Sequence, residues 1–270
     1  MFTKNNILLI VLGFLTIFYN CSPKADEHKT KAKVSESEIE VIDSTELIIE
    51  EVEIINETEN YISELGYIKI TDSLPEILVD LKYSSDDNFL GFNFYGELQN
   101  AFVRYECYLK LEKAYKILQN QKPGYTFIIY DALRSVESQQ LMWDSVKVEP
   151  AKKHWYVANP QKGSIHNFGM ALDISIVNEF GEVLDMGTDF DYFGEKAYPS
   201  NTEKFYQNGE LSEEQYKNRN LLMSVMAEAG FYISKTEWWH YNASSLDYAK
   251  SKYEFFSYPI NINTNDCKEL

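Results

Sequence analysis

Between Gly66 and Pro259 the apolar residues follow two different periods. Tyr67-Ile68-Lys69-Ile70 and Ile77-Leu78-Val79-Asp80-Leu81 read as short extended segments, followed by a loop rich in Asn, Gly and Phe from Asp86 to Tyr95. Over Phe102–Gln119, Tyr108, Leu111, Tyr115 and Leu118 recur on one helical face, and Pro123-Gly124 stops the pattern. Tyr125–Tyr130 is β-branched and aromatic, the composition of a buried strand. It runs into Asp131-Ala132-Leu133-Arg134, after which a helix starts near Ser135. Gly169–Val177 predicts a strand, with a turn at Asn178–Gly181 and a returning strand at Glu182–Leu184. Ser212-Glu213-Glu214-Gln215 has the form of a capping box, and the helix it opens packs Leu222, Val225, Met226 and Ala229 before closing at Gly230. Phe231–Ile233 and Trp238–Tyr241 complete the extended set. Strands and helices mix without a regular βαβ repeat, so the pattern predicts an α+β domain: a mainly antiparallel sheet flanked by helices.

Upstream the pattern changes. Residues 1–21 hold Lys4 and an apolar run from Ile7 to Phe18, too short for the roughly 20 residues of a membrane-spanning helix. They read as a targeting segment ending at Cys21, similar to a bacterial lipoprotein signal in which that Cys carries the lipid. The Phe-Tyr-Asn before Cys21 departs from the usual small residues, which leaves open an uncleaved anchor or an ordinary secretory signal. In residues 22–64 acidic residues far outnumber lysines and Gly is absent, the composition of a self-repelling tether. Residues 65–270 form the single folded domain of this reading. Aromatics are 15% of the 270 residues, enough for a sizeable core, and the formal charge of −17 excludes a nucleic-acid partner. No protein partner is evident. Cys107 and Cys267 allow a disulfide outside the cytoplasm, but a buried free Cys107 is the plainer reading.

The chain has only 4 His. Two of them stand in Ser164-Ile165-His166-Asn167-Phe168-Gly169-Met170-Ala171-Leu172-Asp173 and Glu237-Trp238-Trp239-His240. Two imidazoles, one carboxylate to ligate and one spare make the inventory of a catalytic zinc site with an open fourth position and a nearby base. His154, in Lys152-Lys153-His154-Trp155, matches nothing of this kind and reads as solvent-facing; Trp238 and Trp239 read as packing residues.

Those two runs, together with Asp80–Tyr83 through Asp87–Gly91, Asp131–Arg134 and Met186–Asp191, resemble the VanX-type D-alanyl-D-alanine dipeptidases. That group of zinc peptidases also holds D,D-carboxypeptidases, L-alanyl-D-glutamate endopeptidases and the Hedgehog domain. The resemblance spans about Leu65 to Pro259. It implies one zinc ion held by His166, Asp173 and His240, with Glu237 as general base and Arg134 stabilising the oxyanion. It further implies that Tyr83, Ser164 and Asp191 grip the ammonium of a small D,D-dipeptide; Asp189 is near enough in sequence to compete with Asp191 for that place. The family usually has Pro after the arginine, where this chain has Ser135, so Arg134 is expected to be held less rigidly. Glu237 and His240 would face opposite sides of an ideal strand, so both can serve one metal only if the chain bends between them.

Three rivals stay in view: a carboxypeptidase or endopeptidase acting on peptidoglycan stems, a non-catalytic metal-bearing module, and an Fe(II) oxygenase. The oxygenase triad usually places His and Asp two residues apart, unlike His166 and Asp173. The well-known relatives work in the cytoplasm. The export segment and tether instead predict a periplasmic, membrane-tethered lipoprotein.

Overall fold

In the computed structural model, residues 57–258 are described. The elements run α1 (57–64), β1 (Ile68–Lys69), α2 (Ile70–Ser73), β2 (Leu78–Val79), β3 (Phe102–Val103), α3 (Tyr105–Gln121), β4 (Thr126–Asp131), α4 (Val136–Ser145), β5 (Ala171–Val177), α5 (Thr202–Gln207), α6 (Glu213–Ala229), β6 (Tyr232–Ile233), β7 (His240–Asn242) and α7 (Leu246–Lys252). Cys21 and Cys267 lie outside the described residues; Cys107 is buried and free. No helix of the described residues is long and apolar enough to cross a membrane.

The main sheet has the order β2-β4-β5-β7-β6. Only β2 pairs in parallel, and the other three pairings are antiparallel. This is the expected α+β class. Strand β5 is buried along its whole length, and its two faces differ. Leu172, Ile174 and Ile176 enter the main core with residues of α3 and α6, while Val177 joins Ile128 and Tyr130 on the other face. Asp173 and Ser175 follow Val177 by the two-residue alternation of a strand. The core therefore closes one side of the sheet and leaves polar side chains on the other.

Local chemistry sets the ends of the elements. The Ser212 hydroxyl accepts from the Gln215 amide and the Gln215 side chain accepts from the Ser212 amide, the predicted capping box; Gly230 ends α6 at φ 95°. Several expectations differ. Phe102 and Val103, predicted to start the helix, pair with β1 instead, and α3 starts at Tyr105. The predicted returning strand after β5 is reduced to a single bridge, Val177 to Val183. Residues 57–64, placed in the tether on composition, are helical. Ile62 is a core residue and Glu59 is buried against Lys69 at 2.8 Å. Composition could not show that this carboxylate has a cation waiting for it.

A candidate metal centre in a cavity

Asp173 is the third residue of β5, directly opposite Asp131 of β4 on one side and His240 of β7 on the other. Directly paired residues of antiparallel strands hold their side chains close together. His166 reaches the same point from a 3₁₀ turn over Ile165–Phe168. The Ser164 hydroxyl and Asn167 cap that turn, and Gly169 ends it at φ 65°. A Cβ on Gly169 would stand 2.8 Å from the Tyr67 ring and 3.2 Å from the Arg104 amide, so a side chain there would push the turn off the sheet.

One donor atom from each of His166, Asp173 and His240 lies within 4.8 Å of the others. The individual separations are 3.2 Å for His166 Nε2 to His240 Nδ1, 3.4 Å for His166 Nε2 to Asp173 Oδ1, and 2.9 Å for His240 Nδ1 to Asp173 Oδ1. Three ligands held about 2.0–2.2 Å from one tetrahedral ion would stand roughly 3.4 Å apart, close to what is seen.

The outer partners fix what those atoms carry. His166 Nδ1 donates to the Ala132 carbonyl at 2.7 Å and His240 Nε2 donates to Asn242 Oδ1 at 2.9 Å. In the neutral rings both inward nitrogens therefore present lone pairs to each other and to a buried carboxylate, an arrangement that calls for a cation. Burial works to raise the Asp173 carboxyl, but the two imidazoles outweigh it and hold it below the usual carboxylate range. Burial likewise opposes a charge on His240, yet Asp173 outweighs it and lifts the imidazole to about 9. The donor set fits zinc.

Trp238 and Trp239 occupy a turn between Glu237 and β7, which is the bend the sequence required. Both indoles are buried. Glu237 Oε2 ends 4.0 Å from His240 Nδ1, beside the donor set but not one of the three residues whose donor atoms converge. Burial raises the Glu237 carboxyl, offset in part by His240.

Arg134 is buried and heavily engaged. Its Nε donates to the Tyr95 hydroxyl at 3.3 Å, Nη1 to Gln139 Oε1 at 3.0 Å, and Nη2 pairs with Asp131. Tyr95 also donates to Asp131. The expectation of a looser Arg134 is corrected: Ser135, standing where the family has Pro, caps α4 by accepting from the Ser138 amide at 3.0 Å. The Asn167 side chain also donates to the Arg134 carbonyl at 3.0 Å. A guanidinium has five N–H donors. Nη1 also meets the Met142 sulfur at 3.5 Å, which leaves one Nη2 hydrogen for a ligand.

Arg134, His166, Asp173, Glu237 and His240 line a cavity of about 530 Å³ together with Tyr83, Ser164 and Asp191. Tyr83 donates to Asp191 Oδ1 at 3.1 Å, while Asp191 Oδ2 is buried without a partner among the described residues. Asp191 has φ 58°, the one positive φ of a non-glycine among the described residues, a conformation that costs on the order of 1–3 kcal/mol and persists where its surroundings impose it. Burial, reinforced by the Asp173 charge, pushes its carboxyl well up. Asp189 is exposed and does not share this position. Ser164 lines the cavity but spends its hydroxyl on the cap that holds His166. His154 is exposed, as read from the sequence.

The family model described as D-ala-D-ala dipeptidase, Peptidase_M15, matches residues 63–258. The chain belongs to this family. Relatives of this M15 peptidase include the D-alanyl-D-alanine dipeptidase of Escherichia coli (strain K12), 29% identical over 167 residues, 62% of this chain and 79% of the relative. The D-alanyl-D-alanine dipeptidase of Enterococcus faecium is 28% identical over 205 residues, 70% of this chain and 97% of its own. Among solved structures, the LdcB LD-carboxypeptidase aligns over 56% of this chain and 63% of its own at 19% identity, with a TM-score of 0.34, too loose a likeness to weigh.

The M15 peptidase also contains site residues that sequence reasoning did not single out. Tyr95 and Gln139 hold Arg134, and Asn242 orients His240. Asn242 had a signal: two residues beyond a candidate ligand on a strand, it shares that ligand's face. Tyr95 had none, since its partners Asp131 and Arg134 are far along the chain.

Proposed function

We propose that this peptidase is a zinc D,D-dipeptidase that hydrolyses D-Ala-D-Ala or a close analogue. The observation that carries this reading is the buried, half-satisfied Asp191 carboxylate sharing one small cavity with the donor set and Glu237. A carboxylate there needs a cation, and the free ammonium of a dipeptide supplies one at the distance of a single residue from the reacting bond. In an acylated stem peptide the nitrogen at that place is an amide and carries no charge. A cavity of about 530 Å³ suits a small ligand.

His166, Asp173 and His240 would hold the zinc, which when bound supplies the Lewis acidity that brings water towards hydroxide near neutral pH. Glu237 takes the proton of the attacking water and returns it to the leaving amine. Arg134, fixed by Asp131, Tyr95 and Gln139, points its free Nη2 hydrogen towards the charge developing on the carbonyl oxygen. Tyr83 keeps Asp191 facing the ammonium. The test is to assay the zinc-loaded chain on D-Ala-D-Ala, its L-isomers, N-acetyl-D-Ala-D-Ala and a stem pentapeptide. Rapid cleavage of the free D,D-dipeptide alone is expected; preference for the pentapeptide would make the enzyme a carboxypeptidase.

We further propose that it works outside the inner membrane as a lipoprotein held at Cys21, removing wall-derived dipeptides. The support is the apolar run Ile7–Phe18 ending at Cys21 and the acidic stretch after it. The several acyl chains of a lipoprotein anchor firmly where a single one does not. Fractionation should find the chain in the membrane and labelled by palmitate, and the Cys21→Ala variant unlabelled. A soluble, unlabelled, cytoplasmic wild type would end this part of the reading.

A further inference from the structure

Arg219 of α6 is among the largest fully buried side chains of the molecule, and no carboxylate of the described residues lies within ion-pair distance of it. Removing a guanidinium from water without a partner anion is costly, and an aliphatic residue would fill the space more easily. All its polar contacts go to one segment. Nε donates to the Met186 carbonyl at 2.5 Å, Nη1 to the Lys196 carbonyl at 2.7 Å, and Nη2 meets Thr188 Oγ1 at 3.5 Å. That segment carries Asp191, and one guanidinium ties it down on both sides of that residue. Thr188 Oγ1 also accepts from Trp238 Nε1 at 2.8 Å, a bond that does not involve Arg219 and remains when Arg219 is replaced. Gln215 and Asn218, also on α6, grip only Asp185, at the near end. Between the two tethered ends stand Phe190, packed on Trp239 at 5.3 Å, and the left-handed Asp191.

We infer that Arg219 is a positioning residue for substrate recognition: it holds the Met186–Lys196 segment so that the strained Asp191 faces the cavity and can accept the substrate's ammonium. Arg219 does not line the cavity and touches no reacting atom. Its effect is confined to how well the amino end of the substrate is gripped, and the carbonyl end is left to Arg134 and the metal centre. The inference rests on the reading of Asp191 as the ammonium acceptor.

The test uses the zinc-loaded full chain and its Arg219→Met, Arg219→Lys, Thr188→Val and Asp191→Asn variants. Two numbers are measured: the KM for D-Ala-D-Ala, and the inhibition constant of N-acetyl-D-Ala-D-Ala, which lacks the ammonium. Arg219→Met is expected to raise the KM about tenfold, the effect of weakening one charge-assisted hydrogen bond, with kcat within about twofold and the inhibition constant unmoved. Arg219→Lys should recover part of the loss, and Thr188→Val should show a smaller rise of the same kind. These two also carry the test if Arg219→Met does not fold. If the variants lose kcat and both affinities together, in step with melting temperature, Arg219 is merely structural and the inference is overturned. Should Asp191→Asn leave the KM unchanged, the ammonium reading itself fails. Should Asp191→Asn raise it while both Arg219 variants do not, only the role of Arg219 fails.

Discussion

Alanine at His166, Asp173 or His240 is expected to lower bound zinc well below one per chain and to abolish turnover in each case. The three contributions differ. His166 and Asp173 are buried on rigid supports, a capped 3₁₀ turn and the central strand, whereas His240 is partly open to the cavity. Removing an outer partner such as Asn242 typically weakens a metal site about 10–100-fold, so losing a direct ligand must cost more than that. Asp173→Ala should be the most severe. It takes away the only anionic donor of the three, and with it the charge that offsets the ion's own. The fold should survive, because the main core lies on the opposite face of β5. Metal analysis by mass spectrometry, beside a thermal melt, checks both halves. Full zinc occupancy in the His166→Ala protein would sink the ligand set, and the exposed His154 would then need testing as a replacement.

Much of this centre was legible in the sequence because its parts sit close together along the chain. Ser164–Asp173 brings two donors, their cap and their turn glycine in one run, and Glu237–His240 brings the candidate base and the third donor. The helix ends were legible for the same reason: the Ser212–Gln215 box and the Gly230 stop are local chemistry. What failed to show was whatever depends on distant partners. The acidic stretch around Glu59 looked like tether because Lys69 and Asn100, its partners, lie beyond it. Phe102 and Val103 fit a helix until β1 offers them a ladder. The loss of Pro after Arg134 suggested slack, yet Ser135 gained a cap, and Tyr95, Asp131 and Gln139 close a buried network around the guanidinium. Arg219 was unremarkable for the same reason. Nothing near it in sequence shows that all its donors meet one loop.

Glu237→Gln should keep zinc and remove turnover, the second large effect. Gln has nearly the same shape and can still hydrogen-bond, but it cannot take up a proton at neutral pH. General acid–base help is typically worth about 10²–10⁴ in rate, and here the loss should reach the top of that range or pass it, since one carboxylate serves both proton transfers. Neither of the other carboxylates lining the cavity is free to stand in: Asp173 is committed to the donor set and Asp191 is engaged by Tyr83. Glu237 precedes the turn that leads into the strand presenting His240, its Oε2 is 4.0 Å from His240 Nδ1, and it is not among the three residues whose donor atoms converge. Burial raises its carboxyl, which moves the group towards the range where it can accept a proton from water and release it again to an amine. Zinc content and kcat measured on the same Glu237→Gln preparation separate the two possibilities. Zinc near one per chain with turnover reduced by three or more powers of ten, on the order of the general-base effect, assigns Glu237 to proton transfer. Zinc lost in proportion to activity would make it a fourth ligand, and the open position this chemistry requires would then be missing.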